Sequence, residues 1–199
     1  MGRAYRAVSV SQDRLLKLHR QAADEFDRRV FAIRNDQWHV ATPCAAWDVW
    51  SLVNHVVAEN LWVPHIMDGA TIAEVGAEFD SDVLGPDAKA RWGASMSAAL
   101  AAFEAPGAVD RTVHLLRGEN PAAVYLEERA LDLAIHAWDL AHAIGTDEDL
   151  AAPLVDELWR TWKPRRRQLA DSGFYGTPVP MAAGVGAQPR LLALVGRVA

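Results

Sequence analysis

Leu126-Glu127-Glu128-Arg129-Ala130-Leu131-Asp132-Leu133-Ala134-Ile135-His136-Ala137-Trp138-Asp139-Leu140-Ala141 is the stretch that decides the fold. Its apolar residues cover nearly the whole circumference of a helix. Leu126, Ala130, Leu133, Ala137 and Leu140 fall on one side, and Leu131, Ile135 and Trp138 on another. A helix that is apolar all round is surrounded by other elements. The segment therefore predicts the central helix of an all-α bundle. Asn120-Pro121 supplies a cap followed by a proline, so the helix should start there, and Gly145 should close it after Ile144.

Working outward, three more bundle helices follow from apolar recurrence at three- and four-residue steps. The first is expected from about Ser11, as N-cap, to Ile33, with Leu15, Leu18, Ala22, Phe26 and Val30 as its stripe. The second follows the turn-like Thr42-Pro43-Cys44-Ala45-Ala46-Trp47, with Asp48 in its first turn and Pro64 able to bend or end it. The third is expected from Pro86 or Asp87 to Phe103, after a polar connection from Thr71 to Gly85. Arg111 to Leu116 reads as a short extended piece and Arg117-Gly118-Glu119-Asn120 as a turn. A fifth helix spans about Pro153 to Ala170. Beyond Gly173 the chain turns rich in Gly, Pro and Ala, then ends in the apolar run from Pro189 to Arg197. The expected organisation is a helical bundle over 1–172 and a C-terminal extension over 173–199 that docks on it.

Composition narrows the function classes. Apolar residues make up 51% and charged residues 23% of 199 positions, so the chain can bury a core without staples, and a metal would serve chemistry rather than folding. The formal charge of -6 leaves Arg165-Arg166-Arg167 as one short basic cluster, read as the last turn of a helix; nucleic acid is not an expected partner. No run approaches the roughly 18 apolar residues of a membrane span, and the N-terminus lacks the apolar core of a signal peptide, which predicts a cytoplasmic protein. The single cysteine, Cys44, rules out an intrachain disulfide and is read as a small buried hydrophobe. The eight tryptophans are expected to pack in the core or line a cleft. Neither a phosphate-cradling glycine loop nor a serine-nucleophile elbow occurs.

The buried central helix carries polar residues that need a reason. Asp132 and His136 are four apart, so both side chains share one face and can grip one cation. A buried carboxylate is costly unless paired or bound to metal. His55, amid Val53, Val56 and Val57, would complete a two-histidine, one-carboxylate set that leaves positions open for water or substrate. Asp139, three past His136, is a candidate to orient that ligand from behind. Glu59, four past His55, competes as a ligand. On spacing alone a second reading stands beside this one: Asp132 and His136 as a hydrogen-bonded pair on a polar seam, and His55 as a core histidine.

The stretch from Thr42 to Trp47, then Leu52-Val53-Asn54-His55-Val56-Val57, together with Leu131 to Ala141 and Gly145, resembles the N-terminal domain family of mycothiol-dependent maleylpyruvate isomerases, a DinB-like group of metal-binding bundles. Pro178-Val179-Pro180 and the terminal Arg190 to Arg197 resemble the tail of its actinobacterial branch. The resemblance covers most of the chain, in order. It implies a DinB-like four-helix bundle with one divalent metal on its axis, held by His55 and His136. Where the isomerase has Glu, this chain has Asp132, one methylene shorter. The metal implied is zinc, with nickel or another divalent ion as substitutes, and the implied partner is a low-molecular-weight thiol such as mycothiol with a small-molecule substrate. The activity implied is isomerase or thiol transferase, with a cationic pocket for an anionic substrate; the chain's own residues name no catalytic acid or base. The alternatives are a non-catalytic metal- or ligand-binding protein and a structural or dimerising bundle without metal. A homodimer is compatible with each.

Overall fold

The structure, a computed structural model, describes residues 2–182 and 184–198, with side chains described from Gln12 onward. The chain runs α1 (Gly2–Ala32), α2 (Val49–Met67), α3 (Ile72–Val75), α4 (Ala88–Glu104), β1 (Thr112–Leu115), β2 (Gly118–Pro121), α5 (Ala122–Ile144), α6 (Ala152–Trp162), α7 (Arg166–Asp171) and α8 (Ala187–Leu194). Contacts divide it into two compact units, Met1–Thr146 and Asp147–Ala199.

The first unit is the all-α bundle that the sequence predicts. Its long helices form a closed ring: α1 packs on α5, α5 on α2, α2 on α4, and α4 on α1. α5 is the central helix, with Leu126, Leu131, Leu133, Ile135 and Leu140 wholly buried. Each such leucine contributes about 2 kcal/mol through removal of its side chain from water. α2 places Leu52, Val53, Val56, Val57 and Val63 in the same core.

Local chemistry sets the helix ends. Asp48 is the N-cap of α2, accepting from the Ser51 amide at 2.8 Å, rather than a residue of its first turn. Asp87 caps α4 in the same way through the Ala90 amide, which leaves Pro86 outside the helix. Pro64 does not end α2, which continues three residues to Met67. α1 begins at Gly2, so Ser11 lies inside it and is no cap. The connection after α2 holds one helical turn, α3, closed by a capping box between Thr71 and Glu74.

The expected extended piece is β1. Its partner β2 takes up Gly118 to Asn120, three residues of the expected turn; Leu115 pairs with Gly118, so the reversal is Leu116-Arg117. Asn120 is thus a strand residue, and Pro121 precedes the first turn of α5. Gly145 closes α5 in the left-handed conformation at φ 67°, as expected.

In the second unit α6 packs on α8. The single helix expected from Pro153 to Ala170 is broken by a tight turn at Lys163–Arg165, because Pro164 has no N–H to continue the ladder. Arg165 to Arg167 therefore straddle that turn and the start of α7, with Arg165 lying 5.4 Å over the Trp162 ring. The Val179 amide donates to the Ala193 carbonyl at 2.9 Å, and Gly196 at φ 81° meets Gly176 so closely that a Cβ there would lie 2.7 Å from its backbone. The boundary between compact units falls at 146/147, earlier than the change in composition at 172/173, since α8 joins α6. No described helix is long and apolar enough to cross a membrane.

Candidate metal centre

Three segments of the first unit bring the site together. The first is the turn from Thr42 to Trp47. The Thr42 hydroxyl donates to the Trp47 carbonyl at 2.8 Å and accepts from the Cys44 amide at 3.1 Å, while the Trp47 amide donates to the Cys44 carbonyl at 2.8 Å. A bridge between Ala41 and Asp48 ties this turn to the start of α2. The turn thereby presents the Cys44 thiol and the Trp47 ring to the bundle interior.

The second segment is the middle of α2, which supplies His55. The third is α5, one face of which carries Arg129, Asp132, His136 and Asp139. Donor atoms of His55, Asp132 and His136 lie within 4.8 Å of one another. His136 Nε2 is 3.3 Å from Asp132 Oδ1, and His55 Nε2 is 3.8 Å from Asp132 Oδ2. The two imidazoles meet edge to face at 5.2 Å, and Trp47 lies over both, 4.6 Å from His55 and 5.7 Å from His136.

The opposite edge of His136 faces Asp139. Its Nδ1 is 3.0 Å from Asp139 Oδ2, and Asp139 is wholly buried. A carboxylate that accepts from one ring nitrogen fixes the proton there and turns the other nitrogen outward as a lone-pair donor, the arrangement usual for metal-bound histidine. The Cys44 Sγ donates to the same Asp139 oxygen at 3.2 Å and lies 3.9 Å from His136 Nδ1. Cys44 is therefore a member of the polar network and not an inert hydrophobe. A second donor group, Cys44, His136 and Asp139, shares His136 with the first, but its short separations are those of hydrogen bonds already made.

Charge in the site is coupled. Burial works against the His136 imidazolium, yet Asp132, with the hydrogen bond that Asp139 accepts and the contact with Cys44, holds its pKa well above the usual range. Burial likewise works against the Asp132 carboxylate, yet His136 and Arg129 hold its pKa well below the usual range. Arg129 Nη1 donates to Asp132 Oδ2 at 2.9 Å and to Glu59 Oε2 at 3.1 Å. This engages one oxygen of Asp132 and leaves Oδ1 facing His136. Glu59, the competing ligand on sequence grounds, is thus held by Arg129 and stands outside both donor groups.

Beside His55 an aromatic cleft of about 530 Å³ opens between α2 and the 79–82 segment. An anionic substrate, as the resemblance implies, needs a cationic pocket. Among the described residues, neither lysine nor arginine lines this one.

The profile described as "Mycothiol maleylpyruvate isomerase N-terminal domain" matches residues 19–141. The chain belongs to that family. A protein of Mycobacterium tuberculosis called uncharacterized, found in two strains, is 35% identical over 142 residues, 71% of this chain and 74% of the relative. Crystal structures of the mycothiol-dependent maleylpyruvate isomerase and of its histidine-to-alanine mutant share the fold. The mutant has a TM-score of 0.65 at 19% identity, covering 81% of this chain and 72% of that one. The other has a TM-score of 0.58 at 18% identity, covering 78% and 72%. The family match spans every residue of the donor set, and its first two thirds include the Thr42–Trp47 turn and all of α2.

Proposed function

We propose that the protein is a metal-dependent enzyme that uses a low-molecular-weight thiol of the mycothiol type, as transferase or isomerase, with a divalent ion of the zinc kind held by His55, Asp132 and His136. The observation that carries this reading is the run Asp139–His136–Asp132: one carboxylate behind the imidazole, another in front, and His55 beside it. The donors fit such an ion, since two imidazoles, with His136 giving up its proton as the ion binds, and one carboxylate leave positions for exogenous ligands. When bound, the ion would lower the pKa of a thiol and keep it as thiolate. The protein's own groups have separable roles. Asp139 would fix the ring of His136, Arg129 would set the orientation of Asp132, and Trp47 would cover both imidazoles from one side. The family supports a small-molecule thiol and substrate. A cytoplasmic location accords with the reading.

A metal-free polar network is the competing reading, favoured by Arg129, whose charge already pairs with Asp132 and Glu59. Elemental analysis separates the two. Protein purified without nickel resin or chelator should carry about one equivalent of divalent metal, and the His55→Ala/His136→Ala variant none. Asp139→Asn should retain the fold and weaken metal affinity by roughly 10- to 100-fold. Equal metal content in wild type and double variant, after reloading, would remove the site.

A further inference from the structure

The cleft beside His55 has a definite chemical character. Its walls are the rings of Trp47, Trp50, Trp62 and Phe79, with Trp62 and Phe79 edge to face at 5.8 Å. Its polar rim is acidic: Glu59, Asp80 and Asp82. Glu59 is paired with Arg129, which leaves Asp80 and Asp82 as the carboxylates with no cationic partner among the described residues.

The rim is also built rather than loose. Asn54 on α2 holds the segment at two points, donating to the Ser81 carbonyl at 3.2 Å and accepting from the Val83 amide at 2.8 Å. Asp82 accepts from the Trp50 indole at 3.3 Å through one oxygen and from the Leu84 amide at 3.0 Å through the other. This positions a carboxylate at the edge of an aromatic wall.

Aromatic faces present negative potential, and carboxylates add to it. A dicarboxylate entering here would meet like charge and, among the described lining residues, neither lysine nor arginine to offset it, whereas an organic ammonium would meet both attractive elements at once. We propose that this cleft is a binding site for a small organic cation, an alkyl- or arylammonium. On the reading given under Proposed function, which this step rests on, it makes the acceptor handled beside the metal cationic rather than a diacid. The binding itself depends only on the cleft.

Calorimetric titration of the full chain with benzyltrimethylammonium, benzoate and maleate tests this. The cation should bind saturably at millimolar concentration, and roughly tenfold more tightly than either anion. Asp80→Asn/Asp82→Asn should erase most of that preference, and Trp62→Leu should weaken the cation alone. The His136→Ala variant should bind the cation as wild type does. Retained cation binding in a wild type that proves to hold no metal would therefore end the thiol-transfer reading and leave the cleft assignment standing. Anions binding as tightly as the cation, a cation indifferent to both substitutions, or no saturable binding of any probe would each overturn it.

Discussion

His19 on α1 is 1% exposed and packs edge-on against Phe103 at 5.1 Å; its Nε2 has no hydrogen-bond partner among the described residues. Burial first, then the charge of Arg129, pushes its pKa down to about 3. In the unfolded chain a histidine takes its proton near pH 6.5. Below that pH the unfolded state binds a proton that the folded state refuses, so stability falls as pH drops from about 6.5 towards 3. Between pH 6.5 and 5 this one group should cost about 1.5 kcal/mol. Urea unfolding of chelator-treated protein at the two pH values, wild type against His19→Phe, reads the difference; equal losses would refute the assignment. The sequence could name His55, Asp132, His136 and Asp139 because helical spacing or apolar surroundings singled them out. It could not place Cys44, whose partners are 92 and 95 positions away on another helix. Trp47, read only as a core or cleft residue, gave no sign of covering both imidazoles. A Thr-Pro-Cys turn closed by its own threonine hydroxyl was the available clue to both.

Among the elements, the start of α2 matters most, since it follows directly on the turn that carries Cys44 and Trp47. Asp48 accepts from the Ser51 amide and hydroxyl and from His39 Nδ1 at 2.9 Å, joining cap and preceding loop. Asp48→Ala should cost about 1 kcal/mol. Thermal melts should register this as a fall of about 2–4 °C in Tm, with Asp48→Asn losing less. An unchanged Tm would mean that the bridge from Ala41 alone holds the turn. The helices with strong apolar recurrence were legible to within a few residues: α2, α4 and α5 lie where the apolar period placed them, although Asn120 is no cap of α5 and Asp48 caps α2 instead of lying in its first turn. What escaped was short or broken. β2 offers no alternating pattern in Gly118-Glu119-Asn120, α3 is a single turn, and the apolar stripe of α6 says nothing about Pro164 until the backbone N–H groups are counted.

At the scale of the whole molecule, the donor set exists only in the folded state, because its members come from positions 55, 132 and 136 on two helices. An ion that binds the folded chain alone must stabilise it. Free zinc at a hundred times its dissociation constant should add about 2.7 kcal/mol, seen as a higher Tm that chelator reverses. His55→Ala/His136→Ala should not respond, and a matching rise in that variant would place the ion elsewhere. The bundle class was legible in the all-round apolar character of α5. The division at 146/147 was not, because it depends on α8 returning to α6, and composition changes only at Gly173.

Trp47 is also placed to report on the site. Its indole lies ring to ring with both histidines, at 4.6 and 5.7 Å. Indole emission responds to charge beside the ring, so ligation of either imidazole should change the light that Trp47 emits. The spectrum of the native chain minus that of Trp47→Phe is then a label-free optical gauge, able to follow events at the site in real time without any dye.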